Sequence, residues 1–173
     1  MKDMLIEHGI GVGGNNVKSV QRGNTKIGRV STLNIAISEV DLTKAIVKIS
    51  PMAYSGNSNL TCVKAVLTSS TNLQLTIDTA AGSNVGESQL SWEVIEFNNV
   101  KSLQKGLKSV TGLNNPQAIS EVDPTKSILF YSYSTKRSQE TNVNGYLNSS
   151  TQLMFSAWGS EIHSVAWQVI EFI

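Results

Sequence analysis

The chain has 173 residues, a formal charge of +1 from 14 basic and 13 acidic side chains, and a charged fraction of 16%. No run of lysine or arginine stands out, which argues against non-specific binding of nucleic acid, because such binding needs many clustered phosphate contacts. The length fits one ordinary domain or two small ones. Surface polarity is carried largely by serine, threonine and asparagine, which cost less to bury in an assembly than charged groups.

The amino-terminal residues 1–16 are predicted to form a flexible arm, because residues 9–16 are mostly glycine and asparagine. Gly9, Gly11 and Gly14 match the spacing of the dinucleotide fingerprint, but a strand pattern follows them where that motif needs a helix. The first residues lack the apolar core of a signal peptide, and no stretch approaches the ~20 apolar residues of a membrane helix. We therefore expect a protein made in the cytoplasm without membrane insertion, whose arm binds a neighbouring protein through Met4, Leu5, Ile6 and Ile10.

The next part of the chain alternates runs of β-branched and aromatic residues with clusters of glycine, asparagine and serine, which is typical of strands joined by turns. Six strands are predicted, at 17–22, 29–37, 45–54, 61–68, 72–78 and 89–97. Cys62 is the only cysteine, so the fold holds without an internal disulfide, and we expect a buried thiol. Trp92 in the last strand is expected in the core, as is Trp167 at the matching position of the second copy, with a sugar-stacking platform as the alternative.

The second half of the chain repeats the first in order. Residues 17–23 return as 100–106, 37–44 as 119–126, 67–73 as 147–153, and 91–97 as 166–172. The number of residues that separates a motif from its repeat decreases from the first motif to the last. The second copy has therefore lost residues between motifs that it retains. Its strands are predicted at 100–105, 110–119, 127–134, 143–147, 152–157 and 164–172. The sequence thus predicts an all-β protein of two tandem antiparallel β-sandwich modules, residues 17–98 and 99–173.

The repeated motifs also carry the polar groups that a catalytic or metal site would need. Asp41 and Asp123 lie in matching Ser-Glu-Val-Asp-x-Thr-Lys segments, where turn chemistry explains them better than a calcium site. Glu93 and Glu96 become Gln168 and Glu171, so no catalytic carboxylate pair is retained. The histidines His8 and His163 lack the spacing of zinc ligands. We expect His163 in an exposed turn, where pairing with Glu161 is the alternative. No catalytic residue, cofactor or metal is predicted.

The closing strand of each copy is apolar on both faces, so we expect one face in the module's own core and the other against a neighbouring module or subunit. Four aromatic residues of the second copy have no counterpart in the first, and they are candidates for contact with a partner or ligand. These residues are Tyr131, Tyr133, Tyr146 and Trp158.

The repeated motifs, Val-Lys-Ser-Val-Gln-Arg-Gly, Leu-Thr-Ser-Ser-Thr-x-Leu and Ser-Trp-Glu-Val-Ile-Glu-Phe, resemble a module of structural proteins from tailed bacteriophages over residues 17–173. Members of that group occur in fibres, decoration proteins and neck or tail parts. A six-stranded sandwich closing on a tryptophan strand also resembles the H-type lectin fold, whose members form trimers and hexamers and bind sugars. These resemblances imply a non-enzymatic virion component that forms a homo-oligomer, trimeric or hexameric, with other virion proteins as partners. The alternative is a carbohydrate-binding module that contacts host surface glycans.

Overall fold

The computed structural model describes residues 16–27, 32–53, 62–78, 88–135, 142–159 and 161–173. The first copy supplies six strands: β1 (Val17–Ile27), β2 (Thr32–Ala36), β3 (Ala45–Ala53), β4 (Lys64–Ser69), β5 (Asn72–Thr76) and β6 (Ser88–Phe97). The second copy supplies β7 (Ser102–Val110), β8 (Asn115–Ala118), β9 (Ser127–Thr135), β10 (Val143–Ser149), β11 (Gln152–Ala157) and β12 (His163–Glu171). The predicted arm, with Met4, Leu5, Ile6 and Ile10, lies outside the described residues.

Each copy folds into two three-stranded antiparallel sheets. In module 1, which comprises β1–β6, the front sheet has the order β1-β6-β3 and the back sheet β2-β5-β4. Module 2, β7–β12, repeats this arrangement with β7-β12-β9 in front and β8-β11-β10 behind. The prediction of an all-β protein with two β-sandwich modules is confirmed. Within the described part of the chain, no helix is long and apolar enough to cross a membrane.

The first strand of each module is longer than predicted. The predicted strands end before Gly23 and Gly106, whereas β1 continues to Ile27 and β7 to Val110. Both glycines lie within the ladder, opposite Trp92 and Trp167. The next strand of module 2 begins at Asn115 rather than at 110. A glycine inside a strand permits the close approach of another group, and here that group is the tryptophan ring.

Each module has its own hydrophobic core between its two sheets. Leu73, Leu75 and Val94 belong to the core of module 1, while Leu153 and Phe155 belong to that of module 2. Trp92 packs at the margin of the first core, and Trp167, only 6% exposed, lies within the second. Cys62 is also buried. The expectation of a core residue is therefore confirmed for Trp167, whereas Trp92 packs against its core but is only partly buried.

A third apolar cluster joins the modules. Its buried members are Ile46, Phe97 and Ile170, from the sides of the front sheets that point away from their own cores. The rings of Phe97 and Phe172 meet edge to face, with their centroids 5.5 Å apart. The closing strand β12, and the end of β6 around Ile95 and Phe97, are thus covered on both faces, as the two-sided apolar pattern of these strands predicted.

Candidate assembly surfaces

A buried glutamate near the end of the closing strand ties together three repeated motifs in module 1. Glu96 accepts hydrogen bonds from Lys18 Nζ (2.9 Å), Ser19 Oγ (3.2 Å) and the backbone N–H of Asp41 (3.0 Å). Burial by itself would raise the pKa of the Glu96 carboxyl, but these hydrogen bonds and the charge of Lys18 outweigh it, so the pKa is lowered. The carboxylate is a structural anchor for the neighbouring turn.

Module 2 repeats this anchor. Glu171, 1% exposed, accepts from Lys101 Nζ (2.8 Å), Ser102 Oγ (3.2 Å) and the backbone N–H of Asp123 (2.9 Å). The hydrogen bond from Lys101 is the main reason that the pKa of Glu171 is lowered, and the Asp123 N–H adds to it. The repeated lysine, serine and glutamate therefore serve the framework in both copies.

The repeated Asp-x-Thr turns are closed by their own side chains. Asp41 Oδ1 accepts from the backbone N–H and the hydroxyl of Thr43, at 2.8 and 2.6 Å. Asp123 accepts from Thr125 in the same way, at 2.9 and 2.7 Å. These contacts lower the pKa of both aspartates. The interpretation of Asp41 and Asp123 as turn residues is confirmed.

Module 2 docks onto the open edge of module 1 through uncharged polar side chains. Strand β3 is the outer strand of its sheet, and Gln168 from β12 caps it: the amide oxygen accepts from Val47 N (2.9 Å) and the amide nitrogen donates to Val47 O (2.8 Å). The hydroxyl of Ser132 lies 2.9 Å from Ala65 N and 3.4 Å from Ala65 O, on the outer strand β4. These side chains satisfy backbone groups that an edge strand otherwise exposes.

Further polar contacts surround this docking region. Lys105 Nζ donates to the carbonyl oxygen of Leu42 at 2.7 Å, and burial of the amine lowers the pKa of Lys105 to about 8. Lys64 Nζ donates to Ser164 Oγ at 2.8 Å, and the Ser134 hydroxyl donates to Asp78 at 2.5 Å. The two modules thus meet edge to face, through an apolar cluster bordered by directed hydrogen bonds.

Removing the Gln168 cap is expected to loosen the contact between the modules. In Gln168→Ala, the amide of Val47 should exchange with solvent about fivefold faster, because one buried hydrogen bond contributes roughly 1 kcal/mol. Hydrogen exchange followed by NMR would measure this rate. The matched control is Gln117→Ala, whose side-chain amide donates to the adjacent Ala118 carbonyl. An unchanged rate at Val47 would contradict a stabilising role for the cap.

The outer side of the front sheet in module 1 corresponds to the side of module 2 that contacts Val47, but it carries charged residues. On the outer side of its front sheet, Glu93 accepts from Arg22 Nε at 2.6 Å and lies 3.4 Å from Lys48 Nζ. The hydrogen bond from Arg22 is the main reason that the pKa of Glu93 is lowered. With Asn24, Ser50 and Ser91, these residues line a surface hollow of about 470 Å³.

The four aromatic residues unique to module 2 do not form one site. Tyr131 and Tyr133 pack against the module core, and the Tyr131 hydroxyl donates to Val143 O at 3.1 Å and accepts from Gly145 N at 3.2 Å. Tyr146 is 46% exposed on β10, and Trp158 is 78% exposed in the turn after β11. Only the last two have the exposure that a ligand contact needs.

His163 is buried, so the expectation of an exposed turn histidine is wrong. It lies in β12 opposite Val110 and Thr135, is 0% exposed, and contacts the edge of the Tyr133 ring. Neither ring nitrogen has a hydrogen-bond partner among the described residues. Burial lowers the pKa of His163, opposed by the negative charge of Glu161. The predicted closing strand starts at residue 164, whereas β12 begins with His163 itself.

The lowered pKa of His163 predicts acid sensitivity. Above the ordinary histidine value of 6.5 the ring is neutral in both the folded and the unfolded chain. Below it the unfolded chain binds the proton more readily, so the free energy of unfolding should decrease as the pH falls from 7 to 5. Urea unfolding at several pH values would measure this slope. The slope should flatten in His163→Leu but persist in His8→Leu; equal slopes in both variants would contradict the assignment.

Sequence reasoning missed the residues that join the modules. The signal was the one charged position of the closing strand that differs between the copies, Glu93 against Gln168. The loss of a charge there marks a face that became buried. No protein-family model, curated protein or solved structure shows a significant match to the chain. Inference about its function therefore rests on these contacts and on the repeated motifs.

Proposed function

We propose that this chain is a non-enzymatic structural component of a bacteriophage virion, in a fibre, decoration, neck or tail position, and that it acts through assembly. The observation that carries the proposal is the edge-to-face docking of one module on the other through Gln168 and Ser132. Duplicating such a module multiplies a docking surface, whereas an enzyme usually needs one reaction centre.

The use of the repeated polar residues supports the same interpretation. Glu96, Glu171, Asp41 and Asp123 are bound to backbone and side-chain groups of the framework. Each copy therefore uses its best acid-base candidates to hold turns against the closing strand. The phage setting comes from the resemblance of the repeated motifs, and the arm, residues 1–16, is the segment that we expect to anchor the chain to other virion proteins.

The test is to delete residues 1–16 from the gene in the phage that encodes it. We expect purified particles to lack the truncated protein, while circular dichroism and thermal melting of the isolated truncated protein match those of the full chain. Mass spectrometry of the particles measures incorporation. Full-length protein that is absent from purified particles would refute the virion assignment; truncated protein incorporated at the normal level would refute anchoring by the arm.

A carbohydrate-binding role is the second candidate, favoured by Trp158, whose side chain is 78% exposed. An exposed indole stacks well on the apolar face of a sugar ring. A glycan array would test it: saturable binding that is lost in Trp158→Ala and weakened in Tyr146→Ala would support a lectin. The control variant Leu113→Ala removes another exposed apolar side chain of module 2, 67% exposed, and should leave such binding unchanged.

A further inference from the structure

The contact between the modules joins two different surfaces. Module 1 contributes its docking edge, the open border formed by β3 and β4, and module 2 contributes its docking face, the outer side of the sheet β7-β12-β9. Because the modules are copies, each surface occurs twice in the chain. The contact within the chain uses the edge of module 1 and the face of module 2, together with Ile95 and Phe97 at one end of the face of module 1. The edge of module 2 and the rest of the face of module 1 lie outside it.

The free docking edge is formed by β9 and β10. The registers align Val47 opposite Val94 and Leu129 opposite Val169, so Leu129 of β9 is the counterpart of the capped residue Val47. Its neighbour Ile128 corresponds to Ile46. Ile46 is 0% exposed beneath module 2, whereas Ile128 is 47% exposed. The residue that anchors the contact in module 1 is thus an uncovered apolar side chain in module 2.

The free docking face is the part of the outer side of β1-β6-β3 around the hollow lined by Arg22, Lys48 and Glu93. Ile95 and Phe97, farther along the same side, already pack against module 2. The registers make Glu93 the counterpart of Gln168, and Arg22 the counterpart of Lys105. Ser50, opposite Ser91, corresponds to Ser132, opposite Ala166. The face therefore retains an acceptor at the position of the glutamine, a cation at the position of the lysine, and the same serine.

We propose that the free docking edge of one chain binds the free docking face of a second copy, repeating the contact made within the chain. This rests on the proposed function of assembly and names the partner and the surface. In that register, the Glu93 carboxylate accepts from the N–H of Leu129, and Arg22 donates to the carbonyl of Pro124, as Lys105 does to Leu42. The carbonyl of Leu129 needs a hydrogen-bond donor, which an ionised carboxylate cannot provide, so Lys48 donates to it instead.

The charges of the face are compatible with burial because they are already paired. Strands β9 and β10 contain no charged residue, so the edge offers no repulsion to a cluster of two cations and one carboxylate. Ion pairing within the face reduces the cost of removing Glu93 from water. A contact between two different surfaces closes into a ring or continues as a filament.

The test uses light scattering coupled to gel filtration over a range of protein concentrations. We expect the wild-type chain to form a multimer, and Ile128→Lys to raise its dissociation constant at least tenfold by placing a cation against the cationic face. Ile162→Lys is the matched control, since Ile162 is 53% exposed outside both surfaces and should leave the mass unchanged. Thermal melting checks that each variant folds. A wild-type monomer at every concentration would overturn the proposal.

A complementation experiment tests whether two different surfaces are joined. Arg22→Glu damages only the face, and Ile128→Lys damages only the edge, so each variant alone should be monomeric. Mixed together, the intact face of Ile128→Lys and the intact edge of Arg22→Glu should pair, giving the mass of a dimer. Monomers in the mixture would overturn the proposal. The assignment to a virion is tested separately. A chain that is monomeric in solution but present on phage particles would refute only the contact between copies. A chain that forms multimers but is absent from particles would refute only the virion assignment.

Discussion

Replacing Gly106 by alanine is expected to destabilise module 2 by about 2 kcal/mol. A Cβ atom at this position would lie 2.5 Å from Cζ2 and 2.7 Å from Cε2 of Trp167. The ring is only 6% exposed and packs in the module core, so it cannot move aside without disturbing its neighbours. Overpacking of this kind typically costs about 1–3 kcal/mol, more than the entropy gained by replacing glycine. Urea unfolding measures the change.

Two comparisons isolate the collision with the ring. In a Trp167→Leu background, the cost of Gly106→Ala should fall well below its value in the wild-type chain, because the colliding atoms are gone. Ser109→Ala, on the exposed side of the same strand, should change stability by less than about 0.5 kcal/mol. An equal cost of Gly106→Ala in both backgrounds would show that the ring is not responsible.

The equivalent change in module 1 should cost less. A Cβ on Gly23 would lie 2.4 Å from Cζ2 of Trp92, a collision as close as that in module 2. Trp92, however, is only partly buried and borders the surface hollow beside Arg22 and Glu93, so its ring has space into which it can shift. The glycine–tryptophan pair of module 1 should therefore tolerate an added Cβ better than that of module 2, because Trp92 is partly exposed whereas Trp167 is buried.

Replacing Glu171 by alanine is the second large effect, with an expected fall in Tm of about 10 °C. The change leaves Lys101, Ser102 and the backbone N–H of Asp123 without their shared acceptor. Donors left unpaired in a buried site are costly, and in a module of this size each kilocalorie per mole lowers Tm by roughly 4–8 °C. Calorimetry would measure it. Glu121→Ala, at an exposed position of the adjoining turn, is the control.

The pH dependence of stability offers an independent check on the glutamate anchor. The pKa of Glu171 is lowered from its ordinary value of 4.5, so above 4.5 its full contribution to stability is present. As the pH falls below 4.5, the unfolded chain takes up the proton first, and the contribution is lost as the pH passes through the lowered pKa of the folded state. Glu171→Gln should weaken this acid response; an unchanged response would assign it to other carboxylates.

The sequence alone was sufficient for the class and the repeat. Period-two patterns, turn residues and the ordered recurrence of motifs from 17–23 onward predicted twelve strands in two modules, because strands and turns depend on local chemistry. The Asp-x-Thr turns and the core positions of Trp92 and Trp167 follow from the same local rules. The two-sided apolar character of the closing strands also indicated that their outer faces are covered, which holds for β12 and for the end of β6 at Phe97.

Only the tertiary structure decided which surfaces meet. That Gln168 caps Val47, 121 positions away, depends on how one sandwich is placed on another, which no local pattern encodes. The continuation of β1 and β7 through Gly23 and Gly106 likewise depends on tryptophans that arrive from a distant strand. The burial of His163 depends on strands β7 and β9 on either side of it. Local propensity determined the elements, whereas the long-range packing of one copy against the other determined which of the duplicated surfaces stayed open.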